Sequence, residues 1–180
     1  MNRMLTPHQM PVYKKTNIHE ILERVRSLIL SEFTSDINFI RDYDVSLPEF
    51  IMDREKLIQA ILNIARNGAQ AMKLNNQDDM KLSFITRAER QIVFRKKKHA
   101  TAIRIDIVDN GPGIKNELID KIFFPLVTGK ENGSGLGLSL SQNLISLHQG
   151  MIDCHSVPGK TVFSIILPIE NNLMPTKEKK

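Results

Sequence analysis

The sequence predicts an α+β domain gathered around one glycine-rich stretch. Segments with apolar residues at helical spacing, at 18–31, 53–72 and 137–148, alternate with strand-like segments at 38–43, 81–86 and 101–108 and a closing strand pair at 151–167. Gly111, Gly113, Gly133, Gly135 and Gly137 are five of the nine glycines, and all fall between Asp109 and Leu138. Glycine serves where backbone takes positive φ or comes within touching distance of a ligand. An aspartate beside one such turn, and a helix opening directly after the other, suggest a nucleotide site closed by a lid.

At 180 residues, 41% hydrophobic and 25% charged, the chain suits one domain with its own core. No apolar run approaches the roughly eighteen residues that a membrane helix needs, and the N-terminus lacks the apolar h-region of a signal peptide. The expected setting is the cytoplasm. The single cysteine, Cys154, excludes an internal disulfide and reads as a small strand residue. The net charge is +5 and the pI near 9.4, with much of the excess in Arg87–His99 and Lys177–Lys180. No nucleic-acid motif accompanies it, so these stretches read as a solvated turn and a frayed end. Neither nucleic acid nor a membrane is an expected partner.

Residues 1–16 hold Pro7 and Pro11 and little periodicity, and read as a linker or arm. Asn17 caps a helix in which Ile18, Ile21, Leu22, Val25, Leu28 and Ile29 form one stripe. Asn38–Tyr43 alternates as a strand, ended by Leu47-Pro48. Asp53 caps a second helix, through Met72, with an apolar stripe of Leu57, Ile61, Ile64, Gly68 and Ala71. Gln59, Asn63, Asn67 and Gln70 form another stripe on it. Asparagine is a mediocre helix former. Two asparagines one turn apart are either a hydrated outer face or a pair of amide oxygens aimed at a hard cation or phosphate.

After the polar turn 75–79 come strands at Lys81–Thr86 and Thr101–Val108, with Gln91–Phe94 as a possible addition to their hairpin. The second strand delivers Asp109 at its C-terminal end, where α/β sheets place ligands. Asn116–Phe123 and Gly137–His148 read as helices. Met151–Ser156 and Thr161–Leu167 pair around the Pro158-Gly159 turn, and there is no internal repeat.

Taken alone, GSGLGL at 133–138 is a weak signal. It lacks the Gly-Lys-Ser/Thr of a Walker A loop and the strand and spacing of a dinucleotide fingerprint. The ordered set is more specific: LNIARNGAQAM at 62–72, DNGPGI at 109–114, IFFPLVTGK at 122–130 and GSGLGL. These resemble, in order, the N, first G, F and second G boxes of sensor histidine kinase ATP-binding domains (HATPase_c, GHKL). That family lies in the wider gyrase, Hsp90, histidine kinase and MutL ATPase superfamily. The likeness covers about 17–170, and INFIRDYDVSLPEF together with FFPLVTGKENGSGLGL is most similar to the NtrB-type nitrogen-regulation kinases.

The resemblance implies a two-layer α/β sandwich of the Bergerat type, a mixed sheet under three helices with a mobile ATP lid. The implied domain spans 17–170, between the arm and a flexible basic tail at 171–180. It also implies roles. Asp109 accepts a hydrogen bond from the adenine 6-amino group. Gly111 and Gly113 let the backbone pass the base. Asn67 holds Mg²⁺, supported by Asn63. Gly133, Gly135 and Gly137, with Ser134, Leu136 and Thr128, surround the phosphates. Thr161 lies near adenine or simply packs in its strand. Lys130 reaches the phosphates from the lid or is simply solvated. Phe123 and Phe124 anchor the lid, present it to a partner, or pack in the core. One departure stands out: the family usually writes Asn-Ala where this chain has Asn67-Gly68, which predicts a weaker helix.

The hydrolytic branches carry a glutamate one turn before the metal-binding Asn, as base for water. Asn63 cannot take a proton, so transfer of the ATP γ-phosphoryl to another protein is favoured over hydrolysis. The expected acceptor is a histidine on a dimerisation domain, in cis upstream or in trans. A response regulator receiver follows, and a nitrogen-signalling regulatory protein is a further expected partner. His19-Glu20-Ile21 lacks the following Asn/Thr-Pro and stands only 48 residues before Asn67, so it is not that acceptor. The chain reads as an ATP-binding half without its own phospho-acceptor, a fragment or a truncation with little turnover alone. The alternatives are a standalone anti-sigma-type serine kinase and a non-catalytic nucleotide-dependent binding module.

Overall fold

The computed structural model describes residues 10–33, 37–127 and 135–169. Five strands form one mixed sheet: β2 (Ile37–Asp42), β4 (Met80–Phe94), β5 (Lys97–Asp109), β6 (Met151–Val157) and β7 (Lys160–Pro168), in the order β2-β4-β5-β7-β6. β2 runs parallel to β4, and every other pair is antiparallel. A separate two-stranded sheet joins β1 (Lys14–Thr16) to β3 (Phe50–Met52).

Alternation along the strands decides which face the helices cover. Leu82 and Phe84, Ile103, Ile105 and Ile107, and Phe163, Ile165 and Leu167 are all buried. Their neighbours Arg104 and Ser164 are only half-buried and make a polar outer face, with buried Asp106 between them. Asp106 accepts from Arg104 Nε and Nη2 at 3.0 and 2.8 Å and from Ser164 Oγ at 2.7 Å. A carboxylate at that depth persists because its acceptor capacity is met.

On the inner face lie α1 (Ile18–Glu32), α2 (Arg54–Leu74) and α4 (Gly137–Leu147), and a single turn, α3 (Asn116–Ile119), follows the first glycine turn. Ile18, Ile21, Leu22, Val25 and Ile29 of α1 are all buried. Each such side chain contributes about 1.5–3 kcal/mol, so packing rather than propensity holds the helix. Both predicted caps are present: Asn17 Oδ1 accepts from His19 N at 2.9 Å, and Asp53 Oδ1 from Lys56 N at 3.1 Å.

Three segments differ from the sequence reading. β4 and β5 form one continuous ribbon through the basic stretch, closed by a two-residue turn at Arg95-Lys96. α3 stops at Ile119, and the chain then turns through 120–126, with Lys121 N bonding to Leu118 O. Residues 10–16 are docked on the body: Val12 N–H donates to Asp53 Oδ2 at 2.8 Å, and β1 pairs with β3. No described helix is long and apolar enough to cross a membrane.

Candidate functional site

A cavity of about 710 Å³ opens between α2, the C-terminal end of β5 and the N-terminus of α4. Its floor is set by strand register. Asp109 ends β5 directly opposite Thr161 of β7, and both side chains are buried. Asp109 Oδ1 accepts the Gly111 N–H at 2.9 Å. Burial pushes the Asp109 carboxyl above its ordinary value, and the Gly111 N–H offsets part of that rise. Thr161 Oγ1 is 2.7 Å from Ser156 Oγ, which accepts the Ile114 N–H, so the base of the site is tied to the β6–β7 hairpin.

The first glycine turn is fixed by close approaches. Gly113 has φ +85, and a Cβ there would lie 2.9 Å from Val157 O. Gly159 N–H donates to Gly111 O at 2.9 Å. Asn110 holds the other flank: its Oδ1 accepts the Lys81 N–H at 2.8 Å and its Nδ2 donates to Asp79 O at 2.8 Å.

The opposite wall is α2. Asn63, Asn67 and Gln70 of the amide stripe line the cavity, whereas Gln59 is exposed away from it. Asn63 Nδ2 approaches Gly137 O at 3.4 Å. Ser141 Oγ donates to Ala60 O at 2.9 Å. Together they staple α4 to α2 and aim the first turn of α4 into the cavity. Gly68 does not interrupt α2. A Cβ there would lie 2.8 Å from Asp109 Oδ2, so the glycine lets helix and carboxylate meet.

Gly113, Gly135, Gly137 and Thr161 also line the cavity, and Gly111 is buried behind Asp109. Leu136 caps α4 and is half-exposed. Thr128, Lys130, Gly133 and Ser134 lie outside the described residues. The two ends of the intervening stretch meet: Leu126 N–H donates to Gly135 O at 3.0 Å, and a Cβ on Gly135 would lie 2.6 Å from Leu126 C. Phe123 packs edge-on to Phe163 with centroids 6.3 Å apart, while Phe124 is exposed.

Two features of the site were not read from the sequence. Arg66 lines the cavity rim and pairs with Glu32 of α1, Nε donating to Oε2 at 2.8 Å. Its position three residues after Asn63 on one helix was the available signal. Ile114, Leu118 and Ile122 supply an apolar wall. The imidazole of His19 is engaged structurally: Nε2 lies 2.9 Å from Thr86 Oγ1, and the ring stacks on Tyr43 at 4.6 Å.

The family profile described as "Histidine kinase-, DNA gyrase B-, and HSP90-like ATPase" matches residues 52–171. The chain belongs to this family. Among curated relatives of this histidine kinase-like ATPase domain, the sensory histidine kinase/phosphatase NtrB of Vibrio alginolyticus is 47% identical over 94% of the chain and 48% of its own length. The protein of the same name from Escherichia coli O157:H7 is 42% identical, with the same shares covered. The chain thus spans about half the length of the curated relatives it matches. Among solved structures, the catalytic domain of histidine kinase ThkA superposes with a TM-score of 0.70 at 24% identity, over 89% of this chain and 98% of that one. The mycobacterial sensor histidine kinase MprB gives 0.71 at 21% identity, over 86% and 97%. These two neighbours establish the two-layer fold, a five-stranded mixed sheet under helices.

Proposed function

We propose that the chain is the ATP–Mg²⁺-binding catalytic domain of a sensor histidine kinase acting in nitrogen regulation. It passes the ATP γ-phosphoryl to a histidine on a dimerisation domain, from which a response regulator receives it. The observation that carries this reading is the two-sided cavity. A buried carboxylate, Asp109, faces in at one end, and the amides Asn63 and Asn67 face in beside the α4 N-terminus at the other. A carboxylate selects the 6-amino group of adenine over the 6-oxo group of guanine, because it only accepts hydrogen bonds. The first turn of α4 offers backbone N–H groups and the positive end of a helix dipole to phosphate.

The amide oxygens fit magnesium. Among the described residues no group of three or more His, Cys, Asp or Glu could hold a metal. Mg²⁺ needs no such cage, since it keeps waters and substrate phosphates and takes one or two protein oxygens. Bound there, it would neutralise phosphate charge during in-line transfer. Asn67 would hold it, and Asn63, whose amide nitrogen is turned to Gly137 O, would present its oxygen from the turn before. Neither amide accepts a proton from water, which keeps hydrolysis slow. Lys130, in the sequence between Leu126 and Gly135, is proposed to reach the phosphates.

Mixing the chain with radiolabelled ATP–Mg²⁺ and a separately made His-box domain from an NtrB relative tests the reading. Label should reach the histidine domain only with the wild type, and an Asn67→Ala chain that labels equally well refutes the site. ATP binding with no transfer to any acceptor would instead favour a nucleotide-dependent binding module.

A further inference from the structure

The β4–β5 ribbon runs past its neighbours in the sheet. β2 pairs with β4 only as far as Ile85, and β7 with β5 only from Ala102. Residues 90–101 therefore form a two-stranded extension, and none of them lines the nucleotide cavity. Arg90, Arg95, Lys96, Lys97 and Lys98 stand on this extension, all exposed, with no acidic residue between them. Val93, paired with Lys98, is 60% exposed.

The turn is the unusual part. Arg95 and Lys96 have φ of 51 and 59, the left-handed region that a two-residue type I′ turn demands. That turn strongly prefers Asn-Gly, and a side-chain-bearing residue there is strained. The sequence places two long cations at the positions least suited to them. Arg95 has one evident use, since its Nη2 donates to Ser146 Oγ at 2.6 Å and holds the tip on the last turn of α4. Phe94 and His99 stack at 4.1 Å on the buried side of the ribbon. Neither contact explains Lys96. Strain retained at a residue with no packing role is where a binding role is sought.

We propose that this ribbon tip is a docking site for a carboxylate-rich face of a partner protein. Anchoring decides the class of partner. The Phe94–His99 side is buried and the tip is tied to α4, so the ribbon lies on the body and offers one shallow face. A ribbon that reads DNA bases has to enter a groove, and this one, held on the body, is not free to do so. By register Val93 and Lys98 share the face opposite Phe94 and His99, with Lys96 at the adjoining turn, so an exposed apolar side chain stands beside cations, a combination that protein interfaces use. The site lies at the far end of α4, about 16 Å along that eleven-residue helix from the cavity, so docking leaves the cavity open.

The test uses the full chain and an oligoglutamate peptide as probe, with amide chemical shifts as readout. Shifts should concentrate at 90–98 and weaken with salt. Lys96→Gly should raise the melting temperature by about 2 °C, because glycine accepts the turn conformation. It should also lower peptide affinity about threefold. Lys14→Gln, which removes an exposed cation elsewhere, should change neither, and ATP binding should be the same in all three proteins. Stabilisation by Lys96→Gly with unchanged peptide affinity overturns the proposal. So does an equal loss in Lys14→Gln, or tighter binding to duplex DNA or phosphatidylserine vesicles than to the peptide.

Discussion

Removing the imidazole of His148 should cost about 3–5 kcal/mol of stability. His148 is 2% exposed at the C-terminal end of α4. Its Nδ1 lies 2.8 Å from Leu144 O, and its Nε2 accepts the Asp53 N–H at 2.9 Å. The proton therefore sits on Nδ1, and a neutral ring satisfies both partners. In His148→Ala the buried Asp53 N–H loses its acceptor, at about 1–3 kcal/mol, and the emptied ring volume adds about 2 kcal/mol. For a chain of this size the melting temperature should fall by roughly 10 °C. Burial, the leading cause, pushes the His148 pKa below 6.5, against the smaller upward pulls of the Leu144 carbonyl and Asp53. The unfolded chain then binds the extra proton first. Stability is intact above the ordinary imidazole value near 6.5 and is lost as pH falls from there toward the folded value, by at most about 1.4 kcal/mol per unit. Besides Asp53, Lys56 and the Tyr13 ring face the imidazole. His19 shifts in the same direction, so the wild-type slope alone does not isolate His148. His148→Gln keeps an acceptor near Asp53 N but does not titrate. Urea unfolding from pH 7.5 to 5.5 should show a shallower acid loss in this variant. Melting of His148→Ala within a degree of wild type, or an unchanged acid slope in His148→Gln, would refute the reasoning.

Other consequences follow from the site. Asn67→Ala should reduce ATP affinity in the presence of Mg²⁺ at least about tenfold in calorimetry, with a smaller effect when the metal is chelated. Gly68→Ala pits about 1 kcal/mol of helix propensity against a Cβ placed 2.8 Å from Asp109 Oδ2. In an Asp109→Ala background the carboxyl contact is gone and only the 3.1 Å approach to the Cβ of residue 109 remains, so a larger part of the gain should appear, and non-additive melting temperatures test the contact. Asp109→Asn offers a donor as well as an acceptor and should narrow the preference for ATP over GTP, read by competition with a fluorescent adenine nucleotide.

What could be read before folding was what local chemistry encodes. Asn17 and Asp53 announced their helices because a cap is a three-residue event. Asp109 followed from the alternation of Ile103, Ile105 and Ile107, which makes the strand and its end visible together. The amide stripe put Asn63 and Asn67 on one face because side chains one turn apart must share it, but whether that face met water or a ligand stayed open. The ribbon was only partly visible, since Arg95-Lys96 carries none of the Gly or Asn that marks a tight hairpin. The sequence predicts a longer α3, because Leu118, Ile119 and Ile122 keep helical spacing although the chain turns after Ile119. The docking of residues 10–16 was invisible, because Val12 finds Asp53 across 41 positions. The close meeting of Gly68 with Asp109 was equally out of reach, for it depends on how near α2 comes to the end of β5.

The parallel pairing of β2 with β4 has a mechanical consequence. Parallel strands cannot be joined by a tight turn, so the chain must cross over the sheet between them, and α2 lies within that crossover. The helix that bears Asn63 and Asn67 is thus a tie-bar between two strands of one sheet. It cannot swing away from the cavity without stretching the connection to β4 or peeling β2 from the edge. The amide wall is therefore the fixed jaw of the site, and any change of shape on filling the cavity has to come from the parts that face it.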